Sequence, residues 1–279
     1  MSFFYNFKSL SNLIRFRNLF ILAIVQYLTS YFLISPPLPY WSNVNIHLIV
    51  LITFLVAAAG NIINDYYDIK IDSINRPEQV VIGRSISRRK AIFLNASFNI
   101  IAILISLFIS YRFTLLIVTC IFILWSYSNQ FKRAPLVGNL LIAFLSALSI
   151  LLIPFHYQQF NIYLFFYVGF CFLLSFIREV IKDIEDKKGD KKFDCNTLPI
   201  AIGTKKTKWI ITLFILLLIT LISFFLILDK DSYLLYVVIA GLTYLIIGLF
   251  EAKETGEYAH LSSYCKILML VGLMNIFLV

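Results

Sequence analysis

Charge is what this chain has least of. Only 14% of its 279 residues are Asp, Glu, Lys or Arg, against roughly a quarter in an ordinary soluble domain. Hydrophobic residues make up 60% and mean hydropathy is +0.87. This excludes a soluble globular protein, and it leaves no folded hydrophilic face on which basic residues would grip nucleic acid. Histidine (3) and cysteine (4) are also sparse. Cys120, Cys171, Cys195 and Cys265 lack metal-ligand spacing, so they read as inert thiols. The first apolar run has no small-residue cleavage site, so no removable signal peptide is expected. Phe3, Phe4, Tyr5 and Phe7 in the opening segment suit headgroup depth at a bilayer surface. Missing too are the alternating ten-residue segments of a transmembrane β-barrel.

What is present is a series of apolar runs, each long enough to cross hydrocarbon about 30 Å thick. They run approximately over residues 18–34, 46–68, 91–110, 113–128, 136–154, 161–182, 209–228, 233–250 and 262–279. Backbone groups in lipid find no water, so these segments must be helices. The fold class expected is all-α: a polytopic membrane protein of nine transmembrane helices in one domain. Its halves, about 10–130 and 131–250, repeat in topology and charge pattern without residue identity. The expected arrangement is two four-helix units plus a ninth helix, 262–279, around a central cavity.

Basic residues in short loops favour the cytoplasmic side. One side carries Lys8, Arg15 and Arg17, then Arg76 and Arg84 to Lys90, Lys132 with Arg133, the stretch from Lys182 to Lys208, and Lys253; the other has Arg112 and Lys230. The N-terminus is therefore expected inside and the C-terminus outside, most simply in the plasma membrane of a prokaryote. The net charge of +9 is first a topology signal, and second an attraction for anionic lipid or a phosphorylated substrate.

Two acidic windows close two of these runs: Asn61-Ile-Ile-Asn64-Asp65-Tyr-Tyr-Asp68-Ile-Lys-Ile-Asp72, and Arg178-Glu179-Val-Ile-Lys182-Asp183-Ile-Glu185-Asp186-Lys-Lys-Gly189-Asp190. With three carboxylates in the first and five in the second, they hold eight of the chain's 15. At 100° per residue Asn61, Asp65, Asp68 and Asp72 form one stripe, and Glu179, Asp183, Asp186 and Asp190 another. The blander reading is a pair of solvated helix ends laced with lysine pairs. It suits the second window, where Lys182, Lys187 and Lys188 are adjacent, better than the first, which holds Lys70 alone. Oxygen donors without His or Cys suit a hard cation, and Mg²⁺ binds through a few carboxylates plus substrate phosphates. Carboxylates this crowded stay ionised together only if cations neutralise them.

The first window resembles the Asn-x-x-Asn-Asp-x-x-Asp-x-x-x-Asp signature of the UbiA superfamily of intramembrane prenyltransferases. The second resembles that family's Lys-Asp-x-x-Asp-x-x-Gly-Asp form, followed here by Thr197-Leu198-Pro199. Tyr127-Ser128, with Lys132 four residues on, resembles the stretch beside the family's diphosphate site, and Arg17, Asn18, Asn139 and Lys266 look like further family positions. One stretch departs: where many members read Arg-Pro-x-Pro-Ser-Gly, this chain has Glu78 to Arg84, so the loop expected to cap the diphosphate is altered.

The resemblance implies an enzyme that moves a prenyl group from a long allylic isoprenoid diphosphate to a lipid or aromatic acceptor. It implies two Mg²⁺ ions bridged by the diphosphate, with Asn64, Asp68, Asp72, Asp186 and Asp190 toward metal. Asn61, Arg76, Arg84 and Lys182 are then expected toward the diphosphate, and Asp65, Tyr127, Lys132 and Asp183 at the reacting centre. The 27 Phe and 16 Tyr are compatible with an aromatic-walled tunnel. Ile74-Asn75-Arg76-Pro77 beside the second motif looks most like the branch that prenylates geranylgeranylglycerol phosphate; quinone-pathway members with phenolic acceptors are the alternative. A cation-coupled transporter is a distant one, since transporters carry ionisable residues at mid-bilayer on interrupted helices. No protein partner is implied.

Overall fold

In the computed structural model, which describes residues 2–35 and 39–278 and side chains from residue 8 onward, helix carries almost the whole chain. Eleven α-helices follow one another: α1 Ser2–Leu13, α2 Phe16–Leu33, α3 Val44–Asn75, α4 Arg88–Leu107, α5 Tyr111–Asn129, α6 Val137–Tyr157, α7 Ile162–Lys192, α8 Leu198–Ala201, α9 Thr204–Leu228, α10 Tyr233–Glu251 and α11 Thr255–Met274. Among the described residues nine helices are long and apolar enough to cross a membrane, all but α1 and α8. The protein is an integral membrane protein.

Several boundaries differ from the hydropathic ones. The second span does not end at Asp68 but runs as one helix to Asn75, and the sixth continues from residue 182 to Lys192. Charged residues end an apolar run, but they do not interrupt the hydrogen-bond ladder of a helix. The polar segments 73–90 and 187–208 are accordingly less loop than expected: their first residues are helical, α8 lies within the second, and α9 begins at Thr204. The ninth span starts at Thr255, where a capping box between Glu254 and Glu257 opens it among polar residues. The fourth is a full 19 residues. The side chains of Phe3, Phe4, Tyr5 and Phe7 lie outside the described residues, as do Pro36 to Leu38.

The helices fall into two compact units, Met1–Tyr27 with Pro36–Phe131, and Leu28–Ser35 with Lys132–Val279. In the first, α3 packs on α4 and α5, which also touch each other, and α1 lies on α3. Lipid offers no hydrophobic gain for helix association, so close packing of small residues takes that role. The run Ala57-Ala58-Ala59-Gly60 on α3 supplies it: a Cβ at Gly60 would stand 3.0 Å from Leu124 of α5, and Asn95 of α4 donates to the Ala59 carbonyl at 2.8 Å. Below this, Leu13, Ile14 and Leu19 from the α1–α2 elbow, Ile62 of α3, and Ile82 and Ile86 of the α3–α4 loop share one buried cluster. The carboxyl end of α3, the elbow and that loop are thereby fixed to one another.

In the second unit α7 is the hub, packed on α6, α8, α9 and α11, while α10 lies on α9 and α11. The crossing of α11 over α7 depends on Gly272, where a Cβ would fall 2.2 Å from Cζ of Phe170, a fully buried ring. Gly272→Ala is expected to cost about 1–3 kcal/mol through overpacking, read as a lowered unfolding midpoint in detergent. Gly256→Ala, at a position with open space around it, should leave the midpoint in place; equal melting of the two variants contradicts the packing argument.

Candidate active site

The first stripe lies on the carboxyl-terminal half of α3, and its residues are individually tethered. Asp65 accepts a hydrogen bond from Arg15 at 2.7 Å, an ion pair with side chains 35% (Arg15) and 21% (Asp65) exposed. Arg15 reaches it from the elbow between α1 and α2, where its φ of +56° places an ordinary residue in the left-handed region, a strain of about 1–3 kcal/mol. One turn before Asp65, Asn61 donates to the Ile14 carbonyl at 2.9 Å. Two adjacent residues of the elbow are therefore clamped by two consecutive residues of the stripe.

Asn64 differs from its neighbours. Its Oδ1 is buried and accepts no hydrogen bond, an exception among buried acceptors that calls for a missing partner. Asp68, one turn further, is 3% exposed, and Asp72 is half-buried. An unclaimed amide oxygen one turn from a buried carboxylate is a donor pair suited to a hard cation or its water. Arg76 ends the helix, its N–H bonded to the Asp72 carbonyl. Arg84 lies exposed on the altered loop, which is turned by Gly83 at φ +91° and closed by the Gly83 N–H on the Ile86 carbonyl. Tyr127 is half-buried near the end of α5.

In the second unit the stripe lies on the corresponding half of α7. Asp183 accepts from Nδ2 of Asn139, a buried residue of α6, at 2.8 Å. Asp190 is 3% exposed, and its carbonyl accepts the N–H groups of Phe193 and Cys195, folding the chain back after the helix. Lys182 and Asp186 are half-buried. Lys132 sits on a 3₁₀ turn, Phe131–Arg133, pinned to the segment after α7 by the Asn196 N–H on the Arg133 carbonyl at 2.9 Å. Thr197, in that segment, is buried with its hydroxyl unpartnered. Arg178 pairs with the adjacent Glu179 and keeps a buried, unbonded Nε.

Of the other family-like positions, Arg17, Asn18 and Lys266 are exposed. Asn139 is bonded to a stripe carboxylate, Asp183. Among the described residues no three His, Cys, Asp or Glu side chains converge on a point that could hold a metal. The carboxylates are arranged as two rows, which suits an ion that takes its remaining ligands from water and phosphate.

Two residues gain importance that the sequence had not assigned. Arg15 had read as a topology determinant, and Arg178 had no role. The available signal for Arg15 was its nearness to the first span; its partner lies 50 residues away. Asn139 is a positioning residue for Asp183, and Asn139→Ala is expected to lower turnover about tenfold, in the range seen when outer partners of functional groups are removed. Asn139→Asp should be worse, since it sets a second carboxylate against Asp183. Equal turnover of wild type and both variants would remove that role.

Comparison with known proteins fits this geometry. The UbiA prenyltransferase family profile matches residues 22–262. The chain is 31% identical over 238 residues to a digeranylgeranylglyceryl phosphate synthase of Methanosphaera stadtmanae, covering 84% of this chain and 87% of that one. A synthase of the same name from Methanococcoides burtonii is 29% identical over 91% of this chain and 92% of its own. Among solved structures, one described as giving structural and mechanistic insights into digeranylgeranylglyceryl phosphate synthase in membranes superposes with a TM-score of 0.70 at 27% identity, 97% of each chain being covered. A UbiA homolog from Archaeoglobus fulgidus bound to GPP and Mg²⁺ gives 0.66 at 16% identity over 96% of this chain and 99% of that one, a likeness of fold. With its helical membrane fold and both carboxylate rows in place, the chain belongs to the UbiA prenyltransferase family and is a prenyltransferase.

Proposed function

We propose that this prenyltransferase moves a prenyl group from a long-chain allylic isoprenoid diphosphate to geranylgeranylglycerol phosphate, with Mg²⁺ as cofactor. The observation that carries the metal-diphosphate reading is the α3 row of Asn64, Asp68 and Asp72, with its buried unclaimed oxygen. The acceptor rests on similarity to the synthases over most of the chain. In this reading the chain is one domain with halves about 10–130 and 131–250 and a ninth helix. It lies in a prokaryotic plasma membrane with N-terminus and active site cytoplasmic and C-terminus outside, the side its basic residues favour.

Asn64, Asp68, Asp72, Asp186 and Asp190 would hold the metal. Bound there, Mg²⁺ supplies positive charge to the diphosphate as its bond to the prenyl carbon breaks. The chain adds to that charge: Arg76, Arg84, Lys132 and Lys182 present donors to the departing diphosphate, whose developing negative charge they stabilise most in the transition state, while Asn61 gives its amide to the Ile14 carbonyl. Asp65 and Asp183 are already oriented by Arg15 and Asn139, so they align the rows without reorganisation during reaction. Tyr127 offers a ring face and hydroxyl to the electron-poor allylic carbon. Apolar helices exclude water, which would otherwise capture that carbon.

The test is turnover of the purified protein with Mg²⁺ and radiolabelled geranylgeranyl diphosphate, with geranylgeranylglycerol phosphate and a panel of phenolic acids offered in parallel. Label is expected in a diether phosphate and absent when EDTA replaces Mg²⁺. Label on a phenolic acid instead refutes the acceptor, and undiminished turnover in EDTA refutes the metal.

A further inference from the structure

The second unit contains a cavity of about 550 Å³ that the reaction above does not use. Its walls carry five lysines, Lys187, Lys188, Lys191 and Lys192 from the end of α7 and Lys253 from the α10–α11 junction, with Thr204 and Thr255 between them. Glu185 is the one carboxylate lining it, and accepts from Ser262 at 3.3 Å. On α7 the faces divide: at 100° per residue, Ile184, Lys188, Lys191 and Lys192 point away from Asp183, Asp186 and Asp190. Lys187, roughly 40° from Asp183, stands at the border, so the cavity lies on the flank of α7 centred away from the carboxylate row.

It is also a built site. Lys187 donates to Thr204 Oγ1 at 2.8 Å, tying α7 to the start of α9. Lys208 and Tyr258 both donate to the Ala252 carbonyl, each at 2.8 Å, which fixes the junction that presents Lys253. The N–H groups of Lys253 and Glu254, just before α11, are taken by the Glu257 carboxylate, and the Glu257 N–H by the Glu254 side chain, so the junction is held by its own capping box while the lysines supply the attraction for an anion. Holding like charges together around a cavity raises their energy, and an anion relieves it.

Its position identifies the kind of anion. Trp209 of α9, between one and two turns after Thr204, and Phe250 of α10 meet edge to face 5.1 Å apart, and Trp209 is 59% exposed, the placement of an interfacial aromatic. Beyond it α9 exposes Leu213, Leu216 and Leu217. A phosphate held by lysines at this interfacial depth matches the way basic pockets between membrane helices take acidic headgroups. We propose that this cavity binds the phosphate headgroup of an anionic bilayer phospholipid.

The experiment uses the full chain in detergent, exposed to equimolar phosphatidylglycerol and phosphatidylcholine, with adducts counted by native mass spectrometry. Phosphatidylglycerol adducts are expected to dominate, and the triple variant K188Q/K191Q/K192Q to weaken them by roughly two orders of magnitude, at a surface contribution of about 1 kcal/mol per lysine. Lys253→Gln, from a different helix, should weaken them about fivefold by the same scale. The variant K205Q/K206Q removes two nearby exposed lysines that do not line the cavity, and should retain the lipid. Equal loss in that control marks general charge attraction and overturns the site. Retention by both cavity variants, or displacement of the lipid by millimolar inorganic phosphate alone, overturns it as well. Unchanged helical circular dichroism keeps a misfolded variant from being counted as support.

Discussion

Asp68→Asn is expected to reduce turnover about a thousandfold while leaving the protein folded. Asp68 is 3% exposed on the α3 row, and asparagine keeps its volume and one oxygen but removes its charge. If the carboxylate holds Mg²⁺ against the diphosphate, losing it forfeits several kcal/mol of charge stabilisation in the transition state, and each 1.36 kcal/mol is about tenfold in rate. Stability should be little changed, because asparagine fills the same volume in the packed site. Wild-type unfolding is expected to shift upward with Mg²⁺ and a diphosphate analogue, since ligands that bind only the folded chain stabilise it; the variant should show a much smaller shift. An Asp68→Asn enzyme that turns over within threefold of wild type and keeps the full shift would falsify the ligand role.

The parts that could be read in advance are those for which local composition is sufficient. Nine apolar runs predicted nine membrane helices because hydrocarbon leaves an apolar segment no other hydrogen-bonded conformation. The motifs of α3 and α7 were legible because carboxylates beside an apolar run are costly unless something uses them. Helix ends were less legible. Hydropathy drops at Asp68 and at Lys182, yet α3 continues to Asn75 and α7 to Lys192, since side-chain polarity says where a helix leaves the hydrocarbon, not where its ladder stops. Least legible were long-range partners. Nothing local in Arg15 separates a topology determinant from a clamp on Asp65, and Asn61 gave no sign that its amide would be spent on the Ile14 carbonyl. The lysines after Asp186 read as one basic stretch, and only the helix divides those facing a cavity from the carboxylates one turn away.

That clamp leads to the second large effect: Arg15→Met is expected to lower turnover about a hundredfold with little change in melting. The pair is partly exposed, 35% and 21%, and ion pairs in such settings contribute about 0–1 kcal/mol to stability. Its importance is geometric. Arg15 is held at φ +56°, and strain of this kind persists when surrounding contacts over-determine it; here the Ile14 carbonyl is bonded by Asn61 and both Leu13 and Ile14 are buried in the cluster below α3. The elbow therefore delivers a fixed guanidinium to one oxygen of Asp65, leaving the other a set direction along the row. If Arg15 acts through Asp65, then Asp65→Asn and the double variant should each be about as slow as Arg15→Met, because groups acting as a unit do not lose function additively. Arg15→Lys should recover only part, since an ammonium on a different stem cannot reproduce the planar fork. The readout that separates positioning from mere packing is the Mg²⁺ concentration for half-maximal turnover, expected to rise in Arg15→Met and Asp65→Asn while KM for the acceptor stays near wild type. Additive losses in the double variant, or an unchanged Mg²⁺ requirement, would mean that the elbow supports the fold and leaves the carboxylate row to orient itself.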